Sequence, residues 1–453
     1  MATGTDVHPG AAPQLGTVGY LGLDVGQDEV MACLLLPDGS QAGRSWRVPN
    51  THPGGEALAQ RLRELAQQHG LTHLRIGLEA TGLYWWHLAC LLKDTPLLAD
   101  LPHTVYALNP KLVHGLKHAY ADGGKTDLRD AFFVAERLRV GRLPAPFQVD
   151  VRYAPLQRLT RFRVHLAESL AREKNYFLSF LFLKFSAFTQ VEPFGDPFGA
   201  TSLAVLATFS TEELAQTDLA DLASFVQQQG HGRFVDPGAI AATLQRAARD
   251  SYRLDQVLDE PLTLLLGTTM ATIRTLQAQL AAVDKTIARA VLALPAERRT
   301  IASVPGLGPV FTAGLVAEIG AIERFTDDAA IAKYAGLVWK AHESGQFQAE
   351  DTALAKSGNA YLRYYLVEAA NSVRLHCAEY QTYTTTKLAQ SPKHAHKRAL
   401  VLTARKLVRL IDALLRAGTL YHDPRQDPKE VRTAPSARRP RPQRRARWVP
   451  SAH

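Results

Sequence analysis

Four acidic residues stand where carboxylates could hold metal ions. Asp24 ends one apolar segment and Glu79 ends another. Asp127 and Asp130 are three residues apart, so a helix would place them on one face. Carboxylates that converge in this way can hold two divalent ions about 4 Å apart, an arrangement that promotes phosphoryl transfer. Their oxygen ligands favour Mg²⁺ or Mn²⁺.

Each of these acids also fits a structural role when it is taken singly. Asp24 suits a turn, Glu79 suits a loop, and Asp127 with Asp130 suits a helix N-terminus, where the helix dipole favours negative charge. Their joint occurrence, with apolar strands leading into two of them, favours the metal site. The glycines flanking Asp24 in the segment 22–26 are expected to let a phosphate backbone approach closely.

Two serines in the C-terminal third are candidate nucleophiles. Ser344 lies in a polar segment with turn character, and Ser357 stands before a helix that runs through Tyr361 and Leu366. A serine at a helix start typically caps the helix, so Ser357 is interpreted as an N-cap. Composition alone does not separate a nucleophilic Ser344 from an ordinary exposed serine beside a glycine.

Two regions have features of nucleic-acid contacts. Gly306 and Gly308 resemble the hairpin of helix-hairpin-helix proteins, in which free N–H groups at a helix start face a phosphate; the alternative is a turn between packed helices. Residues 422–453 carry nine Lys and Arg against three Asp and Glu, which predicts a mobile arm that binds a polyanion, with a solvated tail as the alternative. The candidate contacts in this tail are Arg438, Arg439, Arg444 and Arg445.

The hydrophobic pattern predicts the elements that must position the carboxylates. Apolar segments at 18–25, 30–36 and 45–48 predict three strands. Strands at 74–78 and 104–108 follow, each after a helix, and helical segments at 110–118 and 126–140 complete the region. Three strands followed by alternating helices and strands predict an α/β ribonuclease-H-like (RuvC-like) sheet.

The remainder of the chain is predicted to be mainly helical. A coiled coil is indicated by apolar residues spaced three and four apart, namely Ile273, Leu276, Leu280, Val283 and Ile287. The predicted organisation is a flexible N-terminus at 1–17, the α/β domain at 18–145, a helical coiled-coil region at 146–298 with an insert of unassigned role at 191–250, a mainly α C-terminal domain with the serine at 299–420, and a basic tail at 421–453.

Composition narrows the class of protein further. The 453 residues include 46% hydrophobic and 21% charged residues, with a formal net charge of +9, which is typical of a globular protein with a polyanionic partner. No apolar run approaches the ~20 residues needed to span a bilayer. Three widely spaced cysteines fit a reducing compartment better than a disulfide framework. We therefore expect a cytoplasmic protein with no membrane partner.

Taken together, the motifs resemble those of the DEDD transposases of bacterial insertion sequences, the "IS one-ten" group of bridge-RNA-guided recombinases. The resemblance covers most of the chain. The matching segments are 22–26, 78–82, 109–110, 125–131, 304–309, 334–338, 343–345 and 356–363.

The resemblance implies that the four carboxylates bind Mg²⁺ or Mn²⁺ and that Ser344 attacks the scissile phosphate, forming a covalent phosphoserine and releasing a 3′-hydroxyl. It also implies donor and target DNA as substrates, a bispecific bridge-type guide RNA, and a homo-oligomer, dimer or tetramer, in which one subunit's acids meet another's serine. Lys356 and Arg363 lie in the last motif and are candidate nucleic-acid contacts.

Two other functions fit the same residues. One is a hydrolytic RuvC-like nuclease, such as a junction resolvase, in which water attacks in place of Ser344. The other is a non-catalytic nucleic-acid-binding protein in which the acids are structural. Covalent trapping of DNA separates the first from a transposase, and absence of cleavage with magnesium would favour the second.

Overall fold

The chain divides into two compact units, Met1–Val149 and Asp150–His453. The computed structural model describes residues 17–119, 127–141, 143–253, 256–339, 343–344, 347–348, 354–355, 357–390 and 393–423. The predicted flexible N-terminus up to residue 16 and the basic tail from residue 424 lie outside this range. Within the described residues, no helix has the length and apolar character needed to cross a membrane.

A mixed sheet organises the first unit. Its strands are β1 (Val18–Val25), β2 (Glu29–Leu35), β3 (Trp46–Pro49), β4 (His73–Glu79) and β5 (His103–Leu108). In the described part of the unit they form one five-stranded sheet in the order β3-β2-β1-β4-β5. β1, β2 and β3 pair antiparallel, whereas β4 and β5 run parallel to β1. The predicted strands agree with these to about one residue, and the α/β class is confirmed.

Helices cover both faces of this sheet because side chains alternate between the two faces along each strand. On one face, Leu23 and Leu78 pack with residues of α1 (His52–Gln68) and α2 (Trp85–Asp94). The opposite face is covered by α4 (Asp127–Val140), and α3 (Pro110–Ala119) packs beside α4.

Two long helices run antiparallel through the second unit, α5 (Ala154–Lys184) and α11 (Gln256–Ala290). The Arg163 guanidinium donates to Asp284 at 2.6 Å near one end of the pair, and Lys184 bonds Thr263 near the other. The predicted coiled-coil residues lie on the less exposed face of α11. Ile273 and Ile287 are buried, and Leu276, Leu280 and Val283 are half-buried. The spacing therefore indicated a paired helix, and α5 is its partner.

The insert between these helices is itself helical and packs against one end of the pair. It consists of α6 (Phe188–Val191), α7 (Ala200–Thr208), α8 (Thr211–Gln216), α9 (Leu219–Gln229) and α10 (Pro237–Asp250). The buried side chains of this region form what we call the insert core, which includes Phe177, Phe188, Leu222, Leu244 and Ile273.

A second set of helices surrounds the other end of the pair. These are α12 (Pro295–Ala302), α13 (Pro309–Ile319), α14 (Asp328–Tyr334), α15 (Ala360–His376), α16 (Ala378–Ala389) and α17 (Ala395–Ala417). Together with residues of α5 and α11 they bury what we call the C-terminal core, which includes Val164, Ile287, Leu315, Leu366 and Leu407. The mainly helical C-terminal region is thereby confirmed.

Candidate active site

Asp24 and Glu79 lie on neighbouring strands at one end of the sheet. β1 and β4 are parallel, with Leu23 opposite Leu78, and each acid is the next residue along its strand. Because Leu23 and Leu78 are buried on the face covered by α1 and α2, alternation directs both acids toward the opposite face, which α4 covers. We call this end of the sheet, with the facing end of α4, the acidic edge.

Two glycines bring α4 onto the sheet beside these acids. A Cβ atom on Gly22 would lie 2.0 Å from the carbonyl oxygen of Ala131 and 2.3 Å from the amide nitrogen of Ala135. A Cβ atom on Gly77 would lie 2.9 Å from the Leu138 side chain. The expectation that Gly22 admits a phosphate backbone is therefore wrong, because α4 already fills that space.

Lys117 of α3 joins two of the predicted metal ligands. Its Nζ lies 2.9 Å from Asp130 Oδ1 and 3.9 Å from Glu79 Oε2. The three side chains are only 26% (Lys117), 18% (Asp130) and 23% (Glu79) exposed. Thr81 also donates its hydroxyl to Glu79 Oε1 at 3.0 Å. The two carboxylates, from β4 and α4, are thus close enough to share one cation.

This donor chemistry fits a hard divalent ion, since carboxylate oxygens are preferred by Mg²⁺ and Mn²⁺. Asp127 begins α4, one turn before Asp130, but its side chain lies outside the described part of the structure. Among the side chains that are described, no three His, Cys, Asp or Glu are grouped closely enough to form a metal centre. The described geometry thus brings Glu79 and Asp130 together, with Asp24 on the adjacent strand, and the complete set of four remains a prediction.

A cavity of about 390 Å³ opens beside Asp24. Its lining includes a basic side chain, Arg47, that was not among the residues predicted from the sequence. Asp24 pairs with Met31 across β1 and β2, and Met31 pairs with Arg47 across β2 and β3, so the three residues form one row on the same face. Only the pairing register of the three strands places Arg47 near Asp24, and no short sequence motif predicts that register. The cavity is lined by Asp24, Val25, Gly26, Gln27, Asp28, Glu29, Met31 and Arg47.

Side chains from two other segments fix the turn that forms the wall of this cavity. Asn50 donates its amide to the Gly26 carbonyl oxygen at 2.8 Å. The Tyr84 hydroxyl donates to Gln27 Oε1 at 3.0 Å. The turn between β1 and β2 is therefore held against the loop that follows Glu79, so both strand ends are braced.

The predicted nucleophile, Ser344, lies in a short hairpin of the second unit. β6 (Glu343–Ser344) pairs with β7 (Phe347–Gln348), and Ser344 is opposite Phe347. At the base of this hairpin, Trp339 bridges Leu354, and the Ala355 amide donates to the Val338 carbonyl oxygen at 2.8 Å. The side chain of Ser344 lies outside the described part, so its role stays a prediction.

Asn359, and not Ser357, caps α15. Its Oδ1 accepts from the amides of Tyr361 and Leu362, both at 3.0 Å. The interpretation of Ser357 as the cap was therefore wrong by two residues. The amide side chain of Asn359 suits this position as well as a serine hydroxyl does, and Ser357 is exposed outside the helix.

Asn359 also belongs to a buried polar network that the sequence did not reveal. Glu318 of α13 is fully buried and accepts from Arg161 Nε at 2.7 Å, from Arg161 Nη2 at 2.9 Å, and from Asn359 Nδ2 at 2.6 Å. The network ties α5, α13 and the start of α15 together. Apart from Thr312, the other residues of α13 are apolar, so the local pattern around Glu318 indicated only a packed segment.

The predicted nucleic-acid contacts are placed as follows. Gly306, with φ of +91°, packs against the backbone of Val373, and its carbonyl oxygen accepts from Ser372. Gly308 is exposed and precedes α13. Arg363 is half-buried and donates to the Ala335 carbonyl oxygen at 3.0 Å. The remaining candidates lie outside the described residues, namely Lys356, Arg438, Arg439, Arg444 and Arg445.

Comparison with known proteins decides the family. A transposase model of the DEDD type matches residues 21–185, and a model described as "Transposase IS116/IS110/IS902 family" matches residues 298–385. The chain belongs to the IS110/IS116 family of transposases. The transposase is 26% identical over 335 residues to an insertion element IS116 uncharacterized 44.8 kDa protein of Streptomyces clavuligerus, covering 72% of this chain and 79% of that protein. It is also 28% identical over 192 residues to a probable family 20 transposase of Pseudomonas aeruginosa, covering 41% of this chain and 56% of that protein.

The two matched segments correspond to different structural regions of the transposase. The first segment contains Asp24, Glu79, Asp127 and Asp130 and extends to the end of α5. The second contains Ser344 and runs from α12 into α16. The helical insert, α11 and the basic tail lie outside both. The resemblance noted in the sequence is thereby confirmed at the level of the family.

Proposed function

We propose that this transposase cleaves and rejoins insertion-sequence DNA by metal-dependent phosphoryl transfer, with Ser344 as the nucleophile. The observation that carries the proposal is the acidic edge, where Glu79 and Asp130 share the Lys117 ammonium and Asp24 lies on the adjacent strand. The strand order and directions support a ribonuclease-H-like (RuvC-like) domain. With Asp127, these residues would bind Mg²⁺ or Mn²⁺, which supplies polarisation of the scissile phosphate and eases deprotonation of a hydroxyl nucleophile.

The proposed chemical step exchanges one phosphoester for another. The bond between Ser344 Oγ and phosphorus forms as the P–O3′ bond of the DNA breaks, and the serine proton ends on the leaving oxygen as a 3′-hydroxyl. No phosphoester is lost to water. A 3′-hydroxyl that later attacks the phosphoserine can therefore rejoin the strands and regenerate the serine without an external energy source.

The proposed partners are donor and target DNA, a bridge-type guide RNA and further copies of the chain. The net charge of +9 and the arginines at 438–447 support polyanion binding through release of counterions. The exposed start of α13 at Gly308 offers backbone N–H groups to a phosphate. Purifying the protein, sequencing the RNA that accompanies it and mapping that RNA to the DNA flanking the gene tests the guide.

Trapping the covalent intermediate tests the nucleophile. Wild-type protein incubated with DNA, guide RNA and Mg²⁺ should give a protein–DNA adduct that resists denaturation. Ser344→Ala removes the hydroxyl with little change in volume and should give no adduct. Ser357→Ala is the matched control, because Ser357 is exposed and does not cap α15, and it should retain the adduct.

Three outcomes would contradict the proposal. An adduct that persists in Ser344→Ala and vanishes in Ser357→Ala would assign the nucleophile to Ser357. Cleavage by the wild-type protein without any adduct would favour hydrolysis by water, as in a junction resolvase. DNA binding with no cleavage in the presence of Mg²⁺ would favour a non-catalytic nucleic-acid-binding protein.

A further inference from the structure

Lys117 is held at the acidic edge by the packing of its own helix. Val113, one turn earlier on α3, is fully buried in a cluster with Phe133 and Leu138 of α4. Residues four apart on a helix lie on the same side, so the burial of Val113 directs Lys117 toward α4 and its carboxylate, Asp130. The ion pair at 2.9 Å is the result of this placement.

The charge arrangement at this point is that of a cation with two carboxylate partners. Glu79 and Asp130 come from different elements and would repel each other without a cation between them. Glu79 and Asp130 would hold a divalent ion through the same carboxylates, and its positive charge would then disfavour the ammonium between them. The lysine stem is flexible, so the ammonium can turn away, but α3 keeps it beside the site.

We propose that Lys117 is a catalytic residue that exchanges partners. In the metal-free protein its ammonium lies between Glu79 and Asp130 and offsets part of their negative charge. With a divalent ion held by those carboxylates, the ammonium would turn to a non-bridging oxygen of the scissile phosphate. There it stabilises the negative charge that develops during phosphoryl transfer. The proposal rests on the proposed metal-dependent function.

This exchange predicts two effects of opposite sign when the ammonium is removed. The full-length Lys117→Met variant should bind Mn²⁺ about tenfold more tightly, because no cation has to be displaced. Its rate of DNA cleavage at saturating Mn²⁺ should fall on the order of 10²-fold, because a charged donor to the phosphate is lost. A purely structural ion pair would lower both quantities, and a bystander would change neither.

The experiment compares Lys117→Met with Lys117→Arg and with Lys111→Met, a control on the exposed side of the same helix. Mn²⁺ affinity is measured by calorimetry without DNA, and cleavage is measured with saturating metal. Lys111→Met should leave both quantities at wild-type values, and Lys117→Arg should retain part of the cleavage rate. Lys117→Gln provides a second neutral variant if the methionine variant does not fold.

Unchanged or weaker Mn²⁺ binding in both neutral variants would show that the ammonium does not compete with the metal. Unchanged cleavage would show that it does not contact the phosphate, and either result overturns the proposal. Failure of the proposed function is a separate result: without metal-dependent cleavage the wild-type protein would cut no DNA with any metal, and without a serine nucleophile it would cut DNA but give no adduct. The Mn²⁺ affinities would still decide whether Lys117 competes for the carboxylates.

Discussion

Gly22 of β1 lies so close to Ala131 of α4 that a Cβ atom on the glycine would be 2.0 Å from the alanine carbonyl oxygen. The docking distance of α4 on the sheet is therefore set by the absence of a side chain at position 22. Asp130 is the residue before Ala131, so the same contact determines how far the α4 carboxylate stands from Glu79. A substitution at position 22 is therefore expected to change both the packing of α4 and the position of a predicted metal ligand.

Gly22→Ala should lift α4 from the sheet. We expect a loss of roughly 1–3 kcal/mol in the free energy of unfolding, which is typical of overpacking. Cleavage should fall more steeply, since a displacement of about 1 Å in a catalytic group costs about 10²-fold. Cys33, which pairs with Gly22 and is buried under α4, should react faster with a thiol reagent, as located by mass spectrometry.

Burial raises the pKa of the Cys33 thiol, so in the wild-type protein it stays protonated and slow to react. Gly115→Ala is the control, because Gly115 lies in α3 with open space around it. That change should stabilise the protein by about 0.5–1 kcal/mol and leave Cys33 labelling unaltered. Equal labelling of Cys33 in Gly22→Ala and wild type would show that α4 docks without needing a glycine there.

Removing single charges at the acidic edge should abolish recombination and spare nucleic-acid binding. Asp24→Asn and Asp127→Asn keep the size of the side chain but weaken the hold on a divalent ion. Asp100→Asn serves as the control, since Asp100 forms an exposed ion pair with Arg63 in the same unit. Recombination by both variants at near wild-type rates would show that these acids are not the metal site.

The buried network at Glu318 should be costly to break from one side. Glu318→Ala leaves the Arg161 guanidinium largely buried without its carboxylate, and we expect a loss of about 3–5 kcal/mol in the free energy of unfolding. Glu323→Ala, an exposed site just after α13, should stay within about 0.5 kcal/mol of wild type. Denaturant unfolding measures both.

The double variant Glu318→Ala with Arg161→Met separates the pair from its surroundings. It should be more stable than Glu318→Ala alone, because no uncompensated charge is left buried. A double variant that is no more stable than Glu318→Ala would indicate that the loss comes from Asn359 and the start of α15.

Truncation after residue 430 should weaken nucleic-acid binding and reduce its dependence on salt. It removes the six arginines between 438 and 447, and each lost phosphate contact should flatten the logarithmic salt slope by about 0.7–0.9. A full-length variant with those arginines changed to glutamine separates charge from chain length. An unchanged slope in both proteins would identify the tail as a bystander.

The sequence was most informative where the local pattern and the tertiary environment agree. Apolar segments with turn residues between them gave the strands to about one residue, and thus the ends at which Asp24 and Glu79 stand. The spacing of Ile273 and Ile287 indicated that α11 has a helical partner. In these segments the spacing of apolar residues in the sequence matches the spacing of buried residues in the structure.

Features that depend on how elements dock could not be predicted in this way. Lys117 joins the acidic edge only because α3 packs on α4 in one register, and a lysine on a helix is ordinarily a solvated residue. Glu318 is paired by Arg161, which is more than 150 residues away in the chain. Asn359 took the capping position expected of Ser357 because the two residues differ little in capping preference.

The insert core packs the helices of 191–250 against one end of the α5–α11 pair. In evolutionary terms, this arrangement separates the substitutions that each end of the pair can tolerate. A change at Leu222 or Leu244 is compensated among neighbours within the insert core, whereas a change at Ile287 must be compensated within the C-terminal core. Positions of 191–250 that pack only on one another can therefore diverge in sequence, whereas those that pack on Phe177 of α5, inside the matched segment 21–185, are constrained by it.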